Sequence, residues 1–257
     1  MNCAIVGFGK MGRLYDKLLT AKYLIDQNPV SNRVYFSSVD EFIHYGQPVE
    51  LVIITTPSNT HFTIAKKLLD NGYNALVEKP ICLSSFEAKE LEMVARREKL
   101  ILYQSTLERY NPLIKFLKEN LRASEIKKII SYRFGNKPKR DYLEEVKFDL
   151  GIHDVDLWFY LFKKNVSWEI NVGYGKPRRE IKVVLKNSKI IGLDLLNKSI
   201  EFDGKTLDFS RSSVNNPILE MVNKLQYFGF KMNESWSREI EVIEKSRNNT
   251  IKLPPTP

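Results

Sequence analysis

Through its first hundred positions the chain alternates short apolar runs with stretches in which apolar residues recur every three or four positions. Cys3-Ala4-Ile5-Val6 opens the series without polar interruption, the pattern of a strand buried on both faces. Leu14, Leu18, Leu19 and Ile25 then recur at helical spacing, which predicts a helix running to about Asp26 and ended by Asn28-Pro29. Strands are expected over 34–36, 49–54, 74–77 and 100–103. Between them fall a short helix opened by Ser38 and Glu41 as a capping box, a helix over 60–71 stopped by Gly72, and a helix from the cap Ser84 to about Glu98. Strand and helix in alternation predict a doubly wound parallel sheet.

The rhythm changes after Gln104. A helix over 112–121, a strand over 126–135 and a helix over 148–162 precede a series of strands over 168–172, 180–185, 190–196, 199–202 and 206–209. Asn187-Ser188 and Asp203-Gly204 supply turns between them, so this half reads as an α+β domain with a mainly antiparallel open sheet. Two helices follow over 217–230 and 235–248, then a proline-rich tail, 253–257, expected to be mobile. The fold class is therefore α/β, with one domain over 1–106 and a second over 107–257 whose last helix can pack back on the first.

Composition narrows the class further. The 257 residues suffice for one large or two modest domains, and 43% hydrophobic with 28% charged residues is ordinary for a globular protein. No apolar run approaches the roughly 18 residues of a membrane span, and the N-terminus is strand-like with no signal-peptide anatomy. A cytoplasmic protein with no membrane partner is expected. Cys3 and Cys82 are too few for a disulfide framework and read as inert thiols in a reducing compartment. The net charge of +9 is spread along the chain, and its densest cluster, Asn136-Lys137-Pro138-Lys139-Arg140, is short. Solvated surface, or attraction of a phosphorylated substrate or cofactor, accounts for it, and specific nucleic-acid binding is not expected.

Three stretches carry candidate chemistry. Gly7-Phe8-Gly9-Lys10-Met11-Gly12 has the G-x-G-x-x-G spacing between a strand and a helix. There Gly7 permits the tight turn, Gly9 the approach of a pyrophosphate, and Gly12 close packing of helix on strand, so this domain reads as dinucleotide-binding. Glu78-Lys79-Pro80 ends a parallel strand, where open α/β sheets keep their ligands, and Lys79 there can stabilise negative charge as a proton leaves. Asp149, His153 and Asp156 stand at i, i+4 and i+7 on one helical face, and a carboxylate beside an imidazole makes a general base near neutral pH. A histidine in a buried hydrogen-bonded network is the structural alternative. No further ligand of fitting spacing accompanies them, so a metal is not expected.

These motifs, with Thr55-Thr56-Pro57-Ser58-Asn59-Thr60-His61 between the first two, together resemble the Gfo/Idh/MocA oxidoreductases, relatives of glucose–fructose oxidoreductase and inositol dehydrogenase. The resemblance implies a Rossmann domain followed by an α/β domain whose open sheet often joins subunits, hence a homo-oligomer. It implies hydride transfer between NAD or NADP and a carbon of a small-molecule sugar or cyclitol. By match, Lys79 orients the substrate, and Asp149 and His153 form the catalytic pair in which His153 takes the alcohol proton. Thr55, Thr56, Pro57, Asn59 and His61 fall on the loop lining the nicotinamide, His61 as a structural or loop residue, and Glu78 falls near the nicotinamide ribose. Leu107-Glu108-Arg109-Tyr110-Asn111-Pro112 further resembles the UDP-N-acetylglucosamine 3-dehydrogenase-like branch. That likeness implies a nucleotide-sugar substrate touched by Arg109, Tyr110 and Asn111, with Lys137, Lys139 and Arg140 either assisting or forming plain loop surface. An aldose or cyclitol dehydrogenase, or an inactive cofactor-binding regulatory paralogue, are the alternatives.

The chain departs from the family in one respect. An acidic residue is expected at the end of the second strand, about 20 residues after the last glycine, to hold the adenosine ribose. That count lands near Asn32-Arg33, with no acid. Arg33 and Ser37 are therefore expected to serve the adenosine end, with a slight lean to NADP, whose 2′-phosphate Arg33 could pair.

Overall fold

A computed structural model of the chain describes residues 1–30, 32–139, 144–162, 165–210, 216–227, 235–246 and 249–253. The chain divides into two compact units, Met1–Ser105 with Val222–Ile240, and Thr106–Met221 with Glu241–Pro257.

The first unit contains β1 (Cys3–Val6), α1 (Lys10–Leu19), β2 (Tyr23–Ile25), β3 (Tyr35–Phe36), α2 (Val39–Tyr45), β4 (Leu51–Ile54), α3 (His61–Asp70), β5 (Ala75–Val77), α4 (Ser85–Glu98) and β6 (Leu102–Gln104). The strands form one sheet in the order β3-β2-β1-β4-β5-β6, and every pairing is parallel. All residues of β1 and β4 are buried, because helices cover both faces of a doubly wound sheet. The order reverses at β1 and β4, the position where such sheets open a crevice for a ligand. Ser38 caps α2 by accepting the Glu41 N–H at 3.1 Å, but the Glu41 carboxylate turns to Ser37, so only half of the capping box forms. Ser84 holds the cap position of α4 without a side-chain bond.

One expectation fails here. The first helix stops at Leu19, where Thr20 takes a left-handed conformation and its N–H bonds Asp16 O. Tyr23-Leu24-Ile25 is a strand, paired with Ala4-Ile5-Val6 on one side and with β3 on the other. An apolar run of three satisfies helical and extended spacing equally, and only the neighbouring strands decide it.

The second unit contains α5 (Pro112–Asn120), β7 (Ile126–Gly135), a π-helical turn (Lys147–Gly151), α6 (Ile152–Phe162), β8 (Trp168–Tyr174), β9 (Arg178–Leu185), β10 (Ile190–Asp194), β11 (Ser199–Phe202) and β12 (Lys205–Asp208). After these come α7 (Pro217–Tyr227) and α8 (Trp236–Lys245), which the division between the units crosses, and β13 (Thr250–Leu253). The sheet order is β12-β11-β10-β9-β7-β8-β13, antiparallel throughout except between β7 and β8. Asp203 and Gly204 turn β11 into β12 with positive φ at both positions, 53° and 71°, as a two-residue hairpin requires. β13 was not expected. Leu253, assigned to a mobile tail, pairs instead with Trp168 at the sheet edge. The expected helix ends at 228–230 and 247–248 and the tail residues 254–257 lie outside the described residues. Among the described residues no helix is long and apolar enough to cross a membrane.

Candidate active site

At the carboxyl end of β1 the chain turns at Gly7, whose φ of +89° is costly for any residue with a Cβ and whose N–H bonds Ile25 O at 2.8 Å. A Cβ on Gly7 would stand 2.9 Å from Thr56 atoms, and one on Gly12 would stand 2.0 Å from Gly7 O. A Cβ on Gly9 would meet nothing within 4 Å. Gly9 is also the N-cap of α1, and no side chain caps that helix. Close backbone access and uncapped N–H groups at the positive end of a helix dipole are what a pyrophosphate requires, so these residues fit a dinucleotide. Phe8, Lys10 and Met11 complete the loop, with Lys10 exposed and Phe8 and Met11 half-buried.

The loop after β4 closes against this turn. The Thr55 hydroxyl donates to Gly7 O at 2.6 Å, and Thr56 Oγ1 lies 2.7 Å from the Thr60 hydroxyl. Pro57 and Asn59 are exposed, whereas Ser58 is buried with no partner for its hydroxyl among the described residues. His61 is only 1% exposed. Its Nδ1 lies 2.8 Å from Pro80 O and its Nε2 2.8 Å from Thr56 O, so the ring bridges the loops that follow β4 and β5. It is a brace between loops.

The adenosine end corrects the sequence reading. Asp26 directly follows β2, and its Oδ2 accepts the Phe8 N–H at 2.6 Å while Oδ1 accepts the Asn28 N–H at 2.8 Å. A carboxylate therefore stands at the end of the second strand. It comes much sooner after Gly12 than the usual ~20 positions because α1 is short. Arg33 is engaged within the protein itself. Its guanidinium makes a two-pronged pair with Asp16 at 2.6 and 3.0 Å and also donates to Ala21 O, clamping the connection from α1 to β2. Ser37 is likewise engaged, its N–H and hydroxyl both donating to Glu41 Oε2 at 2.6 and 2.7 Å. The lean to NADP loses its basis.

Beyond β5, Glu78 and Lys79 are half-buried, and the Lys79–Pro80 peptide is cis. Glu78 Oε1 accepts the Tyr15 hydroxyl at 3.0 Å, and Tyr15 also lies 3.1 Å from Ser105 Oγ. Burial pushes the Glu78 carboxyl above its ordinary range, against the pull of Lys79 and of the hydrogen bonds from Tyr15 and Ser105. Further along, the Ile81 N–H donates to Gln104 Oε1 at 2.8 Å, and Gln104 in turn donates to Glu239 Oε2 at 3.1 Å. Sequence reasoning missed Tyr15, Gln104 and Ser105. A tyrosine on the buried stripe of α1 was the available signal, since a buried phenol requires a partner.

In the second unit the π-helical turn carries Asp149, which is 6% exposed and accepts the Tyr174 hydroxyl at 3.2 Å. His153 is half-buried in the first turn of α6. Tyr174 was also missed. The third member of the expected trio goes elsewhere: Asp156 pairs with Arg109 at 2.5 to 3.0 Å. Beside this pair, Arg133 holds Asp154 at 2.6 Å and Glu108 at 2.8 Å.

Arg109, Tyr110 and Asn111, expected to touch substrate, have structural partners. Arg109 is 6% exposed, paired with Asp156 and stacked 4.8 Å over Tyr160. Tyr110 is buried, and Asn111 Oδ1 accepts the Leu113 N–H as the N-cap of α5, with Pro112 at the first helical position. Lys137 and Lys139 are exposed, and Arg140 lies outside the described residues. Among the described residues no group of three His, Cys, Asp or Glu side chains could hold a metal ion.

Fold and glycine cradle together define a dinucleotide-binding domain of the Rossmann kind. Residues 1–106 match the model of the Gfo/Idh/MocA oxidoreductase family, described by its NAD-binding Rossmann fold. It is 25% identical over 231 residues to the oxidoreductase YhhX of Escherichia coli, covering 76% of this chain and 67% of that protein. It is 27% identical over 189 residues to scyllo-inositol 2-dehydrogenase (NAD(+)) of Bacillus subtilis, covering 65% of this chain and 55% of the relative. With UDP-N-acetylglucosamine 3-dehydrogenase of Acidithiobacillus ferrooxidans the identity is 29% over 177 residues, covering 63% and 54%. The sequence match thus spans little more than half the length of the two named dehydrogenases. A solved structure of the Acidithiobacillus enzyme superposes with a TM-score of 0.79 over 96% of each chain at 20% identity, so the fold is shared.

Proposed function

We propose that the protein is an NAD-dependent dehydrogenase that interconverts a hydroxyl and a carbonyl on a sugar carbon, its substrate a nucleotide-sugar of the UDP-N-acetylhexosamine kind. The observation that carries this reading is a complete dinucleotide cradle in a chain that also retains Lys79 at a strand end and Asp149 with His153. When bound, the nicotinamide supplies the hydride acceptor or donor. Gly7, Gly9 and Gly12 with the N-terminus of α1 hold the pyrophosphate, and the Asp26 carboxylate accepts the adenosine ribose hydroxyls. A 2′-phosphate at that place meets a negative charge, which favours NAD over NADP. Lys79 hydrogen-bonds the reacting hydroxyl and stabilises its oxygen, and His153 takes the proton. Asp149 supports the imidazolium, with the Tyr174 hydroxyl holding the carboxylate in place.

The likeness to a UDP-N-acetylglucosamine 3-dehydrogenase and the net charge of +9, suited to a diphosphate, support the nucleotide-sugar. The likeness to a scyllo-inositol dehydrogenase supports a second reading, a cyclitol or aldose substrate. The same proposal includes a homo-oligomer joined through the second sheet, where Ile130, Tyr132 and Phe134 alternate with buried residues along β7 and are themselves only half-buried. The test is a panel of UDP-sugars, free sugars and cyclitols incubated with NAD or NADP, followed by absorbance of the reduced cofactor. UDP-N-acetylhexosamine turnover is expected, and His153→Ala lowers it at least about 100-fold while NAD affinity stays. Turnover of inositol alone favours the second reading, and NAD binding with no turnover on any arm favours a regulatory paralogue.

A further inference from the structure

Glu78 directly precedes Lys79 and was expected to meet the nicotinamide ribose, yet its carboxyl group is committed within the protein. Oε1 accepts the hydroxyl of Tyr15 from α1 at 3.0 Å, and Oε2 lies 3.3 Å from the Lys79 N–H. Ser105, at the end of β6, closes the cluster from the other side, 3.1 Å from the Tyr15 hydroxyl. Tyr15 is 0% and Ser105 2% exposed. Neither hydroxyl has water as an alternative partner, so turning Glu78 outward would leave buried polar groups unsatisfied.

We propose that Glu78 is a positioning residue: locked inward by Tyr15 and Ser105, it fixes the backbone that presents Lys79, and it is not a contact to the cofactor. The proposal rests on the reading of Lys79 as a catalytic group. Three elements meet in the cluster: the helix whose N-terminus forms the phosphate cradle, the end of β5 and the end of β6. Helix α1 therefore braces the Lys79 segment as well as the dinucleotide, and the two parts of the site share one support. The segment is braced again just downstream, where His61 lies against Pro80 O and Gln104 accepts from Ile81. Burial also pushes the Tyr15 hydroxyl well above its ordinary range, so it remains a donor to Glu78 through the working pH range.

Tyr15→Phe tests this with the least disturbance, since the ring stays and only the hydroxyl goes; Glu78→Gln and Ser105→Ala accompany it. NAD affinity by calorimetry should stay within about 2-fold in all three, because uniform cofactor binding is not what the cluster supplies. Hydrogen exchange at the backbone of residues 78–81 should quicken about 5-fold or more, and kcat should fall about 10-fold to 100-fold with KM for NAD unchanged. Loss of NAD affinity by about 10-fold or more in Glu78→Gln, measured on folded protein, makes Glu78 a cofactor contact and overturns the proposal. Unchanged exchange in Tyr15→Phe overturns it as well. Exchange and NAD affinity need no sugar substrate, so failure of the sugar-dehydrogenase reading leaves both outcomes readable.

Discussion

Gly12→Ala places a Cβ 2.0 Å from Gly7 O and 2.9 Å from Thr55 Oγ1. Neither neighbour can yield cheaply. Gly7 is set at φ +89° with its N–H on Ile25 O, and the Thr55 hydroxyl is bonded to the same Gly7 oxygen. Helix α1 must then move off β1. Overpacked sites cost about 1–3 kcal/mol, and a backbone contact this short puts the variant at the upper end, near 3 kcal/mol. For a chain of this size that corresponds to a fall in Tm of about 6–12 °C. Gly9→Ala is the counterpart. Its Cβ meets nothing within 4 Å and its φ of −76° suits alanine, so stability should change by less than about 1 kcal/mol, the scale of an N-cap substitution. NAD affinity should nevertheless fall at least about tenfold, or 1.4 kcal/mol, because the methyl group occupies the space through which a pyrophosphate reaches the backbone. Thermal unfolding and calorimetric NAD titration on the two variants side by side separate packing from binding. A Gly9→Ala protein that binds NAD like wild type refutes the cradle, and a Gly12→Ala protein with unchanged Tm refutes the packing argument.

Wild type should bind NAD at least about tenfold more tightly than NADP, and Asp26→Ser should narrow or invert that ratio while Arg33→Ala leaves it alone; titration of both cofactors decides, and an unchanged ratio in Asp26→Ser removes the role given to the carboxylate. Arg109→Ala should destabilise the protein by about 3–5 kcal/mol in urea unfolding by removing the guanidinium from the buried Asp156 carboxylate, and the double change Arg109→Met with Asp156→Leu should recover most of it. A raised KM for substrate with unchanged stability would return Arg109 to the substrate site. Burial alone would raise the Glu108 carboxyl, but Arg133 and then Arg179 hold it below the ordinary glutamate range. Its contribution to stability is therefore full above that ordinary range and is lost as pH falls through the lowered value, so urea midpoints followed into acid should decline less steeply in Glu108→Gln.

What the sequence determined by itself is whatever is written in spacing along one dimension. The strand–glycine–helix opening, the alternation that makes the first sheet parallel, the hairpin turn at Asp203-Gly204 and the antiparallel series after it all follow from local periodicity and local backbone preference. Tertiary structure alone decided the rest. Tyr23–Ile25 is a strand because β1 and β3 flank it, and that assignment moves Asp26 from a helix end to the end of a parallel strand, where it accepts the Phe8 N–H of the glycine turn. Leu253 belongs to a sheet because Trp168 on β8 pairs with it. Arg109 resembled a ligand contact in its local motif, but Asp156, reached through the packing of α6, neutralises it in the interior. Glu78 turns inward because α1 and β6 bring Tyr15 and Ser105 to it. A short apolar run or a lone charged side chain has several local solutions of nearly equal free energy, and the choice falls to whichever distant partner removes it from water with its hydrogen bonds satisfied.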